Sequence, residues 1–352
     1  MDREWESPDY HQVIEELDLE LKQNPDNIDL YFRRSELCYE LEDYQSGIEN
    51  LDAILQRDCD NALAYMFRGY GYGKSENYDR AIADYTKAIA VCPNYAKAYF
   101  NRGTIYNQLN QAENALADFD RAIALDSEYL DAYYNRGIIH NKLEQYQQAI
   151  ADYTQVIRFQ PDSLEGYYNR ANTYNKVGKY SEALTDYNKA IELQPNDLEP
   201  YYNRANVYYK TQDYLKAIAD YSHVIKNNPR YPATYYNRAT AYLAARYYQK
   251  AIADFSTAIR LNPNYAQAYY NRAMTYSKID EYQKAIADHG RAIELKPDYA
   301  EAYGNLGLVQ QTIGKSQQAI QNLQQAATLF QQQGNAVLHQ YVRQKLAEIQ
   351  QL

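Results

Sequence analysis

The chain has 352 residues and a formal net charge of −10, with no run of Lys or Arg, which argues against nucleic acid or an anionic membrane as its main partner. No stretch approaches the roughly 18 consecutive apolar residues of a membrane-spanning helix. Apolar residues make up 46% of the chain and 42 residues are Tyr, so tyrosine takes the place of the usual Leu, Phe and Trp and adds a hydroxyl that needs a partner.

The opening, Met1-Asp2-Arg3-Glu4-Trp5-Glu6, lacks the apolar core of a secretory signal, so a cytoplasmic protein is expected, or a periplasmic one if a leader has been removed. Cys38, Cys59 and Cys92 are odd in number and unmatched in position, and are read as reduced thiols. Asp9-Tyr10 and Val13-Ile14 fall 34 residues before Asp43-Tyr44 and Gly47-Ile48. Residues 1–27 are therefore expected to carry a single capping helix ending near Asn24-Pro25, with Trp5 ahead of it as a packing anchor.

From residue 28 the chain repeats every 34 residues without insertion or deletion. Tyr31, Tyr65, Tyr99, Tyr133, Tyr167, Tyr201, Tyr235, Tyr269 and Tyr303 stand in register. The units are 28–61, 62–95, 96–129, 130–163, 164–197, 198–231, 232–265, 266–299 and 300–333. A fixed period of this length means a stack of small units, each contacting its neighbours. In 130–163, helix A is expected from Leu130 to about Leu143 and helix B from Gln145 to about Phe159, with Pro161 closing the unit. So short a turn makes the two antiparallel.

With Tyr133 as position 4, position 8 is Gly, Ala or Ser throughout and position 20 is Ala except for Gly47. Pairing about a turn near position 15 puts 4 opposite 27, 7 opposite 24 and 11 opposite 20, so large residues meet small ones. Position 7 is Arg in eight units and position 23 is Asp in seven. The pairing predicts structural ion pairs Arg102–Asp118, Arg136–Asp152, Arg170–Asp186, Arg204–Asp220 and Arg238–Asp254. In the last unit Leu306 and Asn322 replace both partners together, and in the first Arg34 faces Asn50. The last unit turns Gln-rich, Gly334-Asn335 breaks the chain, and Ala336–Leu352 is expected as a capping helix over 334–352.

Tyr at 4, a small residue at 8, Ala at 20, an aromatic at 24 and Pro at 32 (Pro93, Pro161, Pro195, Pro229, Pro263, Pro297) resemble the tetratricopeptide repeat. The Asn-Arg wording and Gln-rich ending are most similar to cyanobacterial members. The resemblance implies an all-α, right-handed α-solenoid of nine helix-turn-helix units with capping helices at both ends. It also implies that positions 2, 5, 6, 9, 12 and 13 of helix A line a concave groove. Position 7 departs from the family, which commonly has Leu there.

Position 6 is then a row of amides facing the groove: Asn101, Asn135, Asn169, Asn203, Asn237, Asn271 and Asn305. Each offers a donor and an acceptor, suited to gripping extended backbone. The other reading is that these amides bridge neighbouring A helices. Beside them stand Tyr134, Tyr168, Tyr202, Tyr236 and Tyr270 at position 5, and Asn172 and Asn206 at position 9. Acidic residues at position 2 (Asp131, Glu165, Glu199) argue against a basic clamp for a C-terminal carboxylate.

His11, His140, His223, His289 and His339 are scattered. His140 stands for a core Tyr and His289 for a core aromatic, so both read as packing variants. No metal-ligand spacing, phosphate loop or nucleophile motif occurs. The expectation is a non-enzymatic scaffold, with no catalytic residue, metal or cofactor, that holds a protein or peptide segment in the groove. The alternatives are an assembly factor docking folded subunits, for instance of a photosystem, and a metal or small-molecule carrier. Self-association through the solenoid ends stays open.

Overall fold

The computed structural model describes residues 10–350, which are helical apart from short turns; Trp5 lies outside the described residues. Two compact units are distinguished, Met1–Thr173 and Tyr174–Leu352, and the division falls inside one helix. The first holds α1 (Tyr10–Gln23), α2 (Ile28–Glu40), α3 (Tyr44–Arg57), α4 (Ala62–Lys74), α5 (Tyr78–Val91), α6 (Ala96–Gln108), α7 (Ala112–Leu125), α8 (Leu130–Lys142), α9 (Tyr146–Phe159) and the start of α10 (Leu164–Lys176). The second continues with α11 (Tyr180–Leu193), α12 (Leu198–Lys210), α13 (Tyr214–Asn227), α14 (Pro232–Ala244) and α15 (Tyr248–Leu261). It ends with α16 (Ala266–Ser277), α17 (Tyr282–Leu295), α18 (Ala300–Thr312), α19 (Ser316–Gln332) and α20 (Ala336–Gln350).

Local chemistry sets these boundaries. Asn61 caps α4 by accepting from the Ala64 N–H at 2.9 Å, and Asp43 caps α3 by accepting from Ser46 at 3.0 Å. Each even-numbered helix from α2 to α18 ends on a residue of positive φ at position 15. It is glycine at Gly178 and Gly314, but Glu, Asn, Gln, Arg or Asp elsewhere, as at Glu144 (φ 60°). The left-handed residue lets the next N–H turn back: Gln145 donates to the His140 carbonyl at 2.8 Å. Helix B ends where Gln160 donates to Val156 at 2.8 Å and Pro161 follows.

Consecutive helices pack against one another from α1 to α9 in the first unit and from α11 to α20 in the second. Within the first unit α4, α6 and α8 also touch in sequence, and within the second so do α12, α14, α16 and α18. The A helices thus form a layer of their own in each unit. A Cβ added to Gly137 would stand 2.9 Å from the Tyr153 ring, and one at Gly103 would stand 3.0 Å from Phe119. The ring at position 24 therefore rests on position 8. This moves position 24 from 7, where it was expected, to 8, while position 7 meets 23 as the ion-pair expectation has it. The terminal helix α20 buries Val342 and Ile349 against Ala326 and Phe330 of α19. Cys38 is buried, Cys59 and Cys92 are exposed, and all three are free thiols.

Candidate functional site

Three arrangements of polar side chains stand out, and the first is structural. Arg238 forks onto Asp254, Nε to Oδ2 at 2.6 Å and Nη2 to Oδ1 at 2.8 Å. Arg204–Asp220 and Arg102–Asp118 repeat the geometry at 2.7–2.8 Å, Arg136 meets Asp152, and Arg68 and Arg272 meet Asp84 and Asp288 in the same way. The aspartates are buried and the guanidiniums mostly so. A bidentate fork is the strong form of a charge-assisted hydrogen bond.

The third nitrogen goes elsewhere. Nη1 of Arg238 donates to Ser222 at 2.9 Å, that of Arg272 to Ser256 at 2.8 Å, and that of Arg102 to Thr86 at 3.0 Å. Those of Arg136 and Arg204 reach Asp120 and Asn188. These acceptors occupy position 25 of helix B in the preceding repeat. Ser222 and Ser256 give their own protons to the carbonyls of Ile218 and Ile252, which leaves a lone pair for the arginine. The guanidiniums of Arg68, Arg102, Arg204, Arg238 and Arg272 also lie between two tyrosines of their own helix, Arg238 at 5.9 Å from Tyr235 and 5.7 Å from Tyr242, whereas Arg136 has Tyr133 alone because His140 takes the second place. One arginine so ties three helices. Arg34 shows the device with its charge moved: Asn50 is its neutral partner at 3.0 Å, and Asp18 of α1 is the ionic one at 2.7 Å.

The second arrangement is the position 6 row. Asn237 donates to the Tyr202 hydroxyl at 2.8 Å, Asn271 to Tyr236 at 2.7 Å, Asn305 to Tyr270 at 2.8 Å and Asn169 to Tyr134 at 3.2 Å. Each amide thus holds the position 5 ring of the preceding repeat. Asn135 turns back to the Asp131 carbonyl at 2.8 Å, and Asn101 meets the Met66 sulfur at 3.7 Å. Asn206 is committed inward, its carbonyl taking the Tyr221 hydroxyl at 2.6 Å and a longer bond from Asn237. Tyr168, Asn172 and Asn203 are not without partners either.

The position 5 rings are themselves wedged, Tyr236 against Phe255 and Tyr265, and Tyr270 against His289 and Tyr299. Burial pushes the phenols of Tyr202, Tyr236 and Tyr270 up, and that of Tyr265 to about 12. The carbonyl oxygens of Asn271 and Asn305 accept no hydrogen bond among the described residues.

The third arrangement is a cavity of about 750 Å³ against α1, α2, α4 and α6. Its apolar wall is Met66, Phe67, Tyr39 and Tyr70, and Arg33, Glu36, Glu40 and Lys97 bring four charges to it. Asn101, the first amide of the row, lines it too, whereas the sequence reading did not single out the residues around it. The signal was present at position 6, where Arg33 and Phe67 stand instead of Asn.

His140 bonds Gln145 at 2.6 Å, and His289 is fully buried with no partner for either nitrogen. Among the described residues no group of three His, Cys, Asp or Glu is placed to hold a metal ion, and no helix is long and apolar enough to cross a membrane.

Family models agree with this architecture. Models described as TPR repeat match residues 69–109, 103–143 and 171–212. Models described as tetratricopeptide repeat match 130–163, 152–185, 202–266, 266–299 and 290–321. No curated protein matches the chain. Among solved structures, the C-terminal part of a TPR repeat-containing protein from Cytophaga hutchinsonii is 21% identical. It aligns over 66% of this chain and 96% of its own, with a TM-score of 0.59. YrrB, described as a TPR protein with an unusual peptide-binding site, is 25% identical over 53% of this chain and 97% of its own, with a TM-score of 0.50. A tetratricopeptide repeat protein from Parabacteroides merdae is 23% identical over 70% of this chain and 98% of its own, at a TM-score of 0.49. The 34-residue period, the stacked helix pairs and these matches, which run without a gap from residue 69 to 321, place the chain in the tetratricopeptide repeat family.

Proposed function

We propose that this chain is a non-enzymatic binding protein that holds a segment of a partner protein along its layer of A helices. The observation that carries the reading is the fixed amide row. Asn169, Asn237, Asn271 and Asn305 each spend one N–H on the Tyr hydroxyl of the preceding repeat, which orients the amide, while Asn271 and Asn305 keep an acceptor oxygen without a partner among the described residues. Amides held in advance lose little freedom when a backbone N–H docks on them. The rings of Tyr236 and Tyr270 are wedged as well, and give contact area at low entropic cost. The peptide-binding site named for YrrB supports the same use of this fold.

The test is selection of a displayed random dodecapeptide library on the full chain, followed by affinity of the selected peptides for an Asn237→Ala, Asn271→Ala, Asn305→Ala variant. Far-UV circular dichroism must match the wild type. Loss of binding with the fold intact supports the amide row as the contact surface. Unchanged affinity would make the row internal structure alone.

A further inference from the structure

The cavity against α1, α2, α4 and α6 differs from the rest of the A-helix layer in how its charges are set. Arg33 is the sixth residue of α2 and Lys97 the second of α6, while Glu36 and Glu40 lie in the later half of α2. The cavity is therefore basic toward the helix starts and acidic toward the helix ends. Lys97 in the first turn of α6 and Glu40 in the last turn of α2 oppose the helix dipoles, which favour acids at the start and bases at the end, although Asp29 in the first turn of α2 follows them. In α8, α10 and α12 the charges follow the dipoles: Asp131, Glu165 and Glu199 stand in the first turns, and Lys142, Lys176 and Lys210 in the last.

Among the described residues none of Arg33, Lys97, Glu36 and Glu40 has an ion-pair partner, so no ion pair there accounts for their placement. Local rules broken without internal compensation mark functional positions. The same cavity is lined by Met66, Phe67 and Tyr70 of α4, and by Asn101 of the amide row.

We propose that this cavity is the anchor subsite of the groove. Its occupant is an extended segment of a partner protein presenting one bulky aromatic or aliphatic side chain, with a carboxylate on one flank and a cation on the other. The bulky side chain fills the wall at Phe67, the carboxylate meets Arg33 and Lys97, and the cation meets Glu36 and Glu40. The assignment rests on the groove-binding reading and adds to it the class of ligand.

The experiment uses the same dodecapeptide library on the full chain. Selected peptides are expected to share an acid–aromatic–base pattern. By fluorescence anisotropy they should bind an Arg33→Glu, Lys97→Glu variant about tenfold more weakly. A peptide whose acid is changed to Lys should regain most of that loss on the same variant. Both substitutions are at exposed positions, so the fold should be kept, as circular dichroism would verify. Selected peptides without the pattern, or affinity unchanged by the charge reversal, would overturn the assignment. If those peptides still depend on Asn271 and Asn305, the wider reading stands and this one falls. No enrichment at all removes both. Dimerisation abolished by the same charge reversal would make a second copy the occupant, and would also overturn it.

Discussion

Repeat 7 and repeat 9, both in the second unit, solve one packing problem in two ways. In repeat 7 Arg238 joins Asp254 of its own helix B to Ser222 of the preceding one. In repeat 9 the arginine is Leu306, buried, and the aspartate is Asn322, which bonds Gln310 at 2.8 Å. The preceding position 25, where an acceptor would stand, is Gly290, with nothing within 4 Å of an added Cβ. Three positions on three helices have changed together. A buried aspartate beside a leucine would be an unpaired charge, and an arginine without its acceptors would be another. The arginine is therefore kept where at least one acid meets it, as at Arg34 with Asp18, and where both partners are gone its place is filled by an apolar side chain.

Breaking one side of the clamp should give the largest effect. Asp254→Ala strands the Arg238 guanidinium and should cost about 3–5 kcal/mol. Arg238→Leu with Asp254→Asn copies repeat 9 and should be less damaging than the single change. Chemical denaturation read by circular dichroism decides it. A double variant less stable than Asp254→Ala would show that the clamp and the apolar solution are not interchangeable.

The junction between the two solutions carries the next effect. His289 fills position 24, where Phe255 stands one repeat earlier, and burial lowers its pKa from 6.5 to about 4. The folded state therefore keeps the imidazole neutral, while an unfolded chain protonates it near 6.5. Its contribution to stability is intact above that pH, declines as pH falls from 6.5 to 4, and below 4 has dropped by roughly 3 kcal/mol. His289→Phe should remove this dependence. Its advantage over wild type, followed by thermal melts, should widen from pH 7 to pH 4.5. A constant difference would mean that His289 is not the group that titrates.

A smaller effect is expected where the inner layer is bridged. Tyr236→Phe removes the hydroxyl that takes the Asn271 amide at 2.7 Å, and should cost about 1 kcal/mol. The same change in repeat 9 has a natural counterpart, since Gly304 stands at position 5 and offers no hydroxyl at all. Hydrogen exchange of the α16 amides would report the loosening, and unchanged protection would show that the bond adds nothing there.

The order of elements, the 34-residue pairs and the arginine–aspartate partners were legible because identical units make a substitution in one copy informative about the others. Leu306 with Asn322 is such a case. Partners lying across a repeat boundary were harder to see. Thr86, Asp120, Thr154, Asn188, Ser222 and Ser256 all carry an acceptor at position 25, yet comparing positions within one repeat gives no reason to pair them with the next arginine. The Asn271–Tyr236 bond, 35 residues apart, is the bridge between neighbouring A helices that the sequence left as the other reading of the amide row, and only its partner at position 5 was not legible. The cavity at Arg33 and Phe67 lies where the repeats depart from their own consensus, and a reading that weighs repetition passes over departures.

Gly290 gives the smallest and cleanest test of the contrast between the two solutions. It lies inside α17, where glycine costs roughly 0.5–1 kcal/mol relative to alanine because it loses more backbone freedom on folding. In repeats 1 to 7 position 25 is held to a polar side chain by the arginine that follows. Here the arginine is gone, so nothing keeps a polar group there, and nothing in the packing requires a glycine. Gly290→Ala should therefore stabilise the chain by about that amount, read as a small rise in the melting temperature. Adding the acceptor back as Gly290→Ser should gain less, because serine is the weaker helix former and Leu306 gives it nothing to bind. If serine instead exceeded alanine, position 25 would have a partner in repeat 9 other than residue 306, and the two solutions would not be alternatives after all.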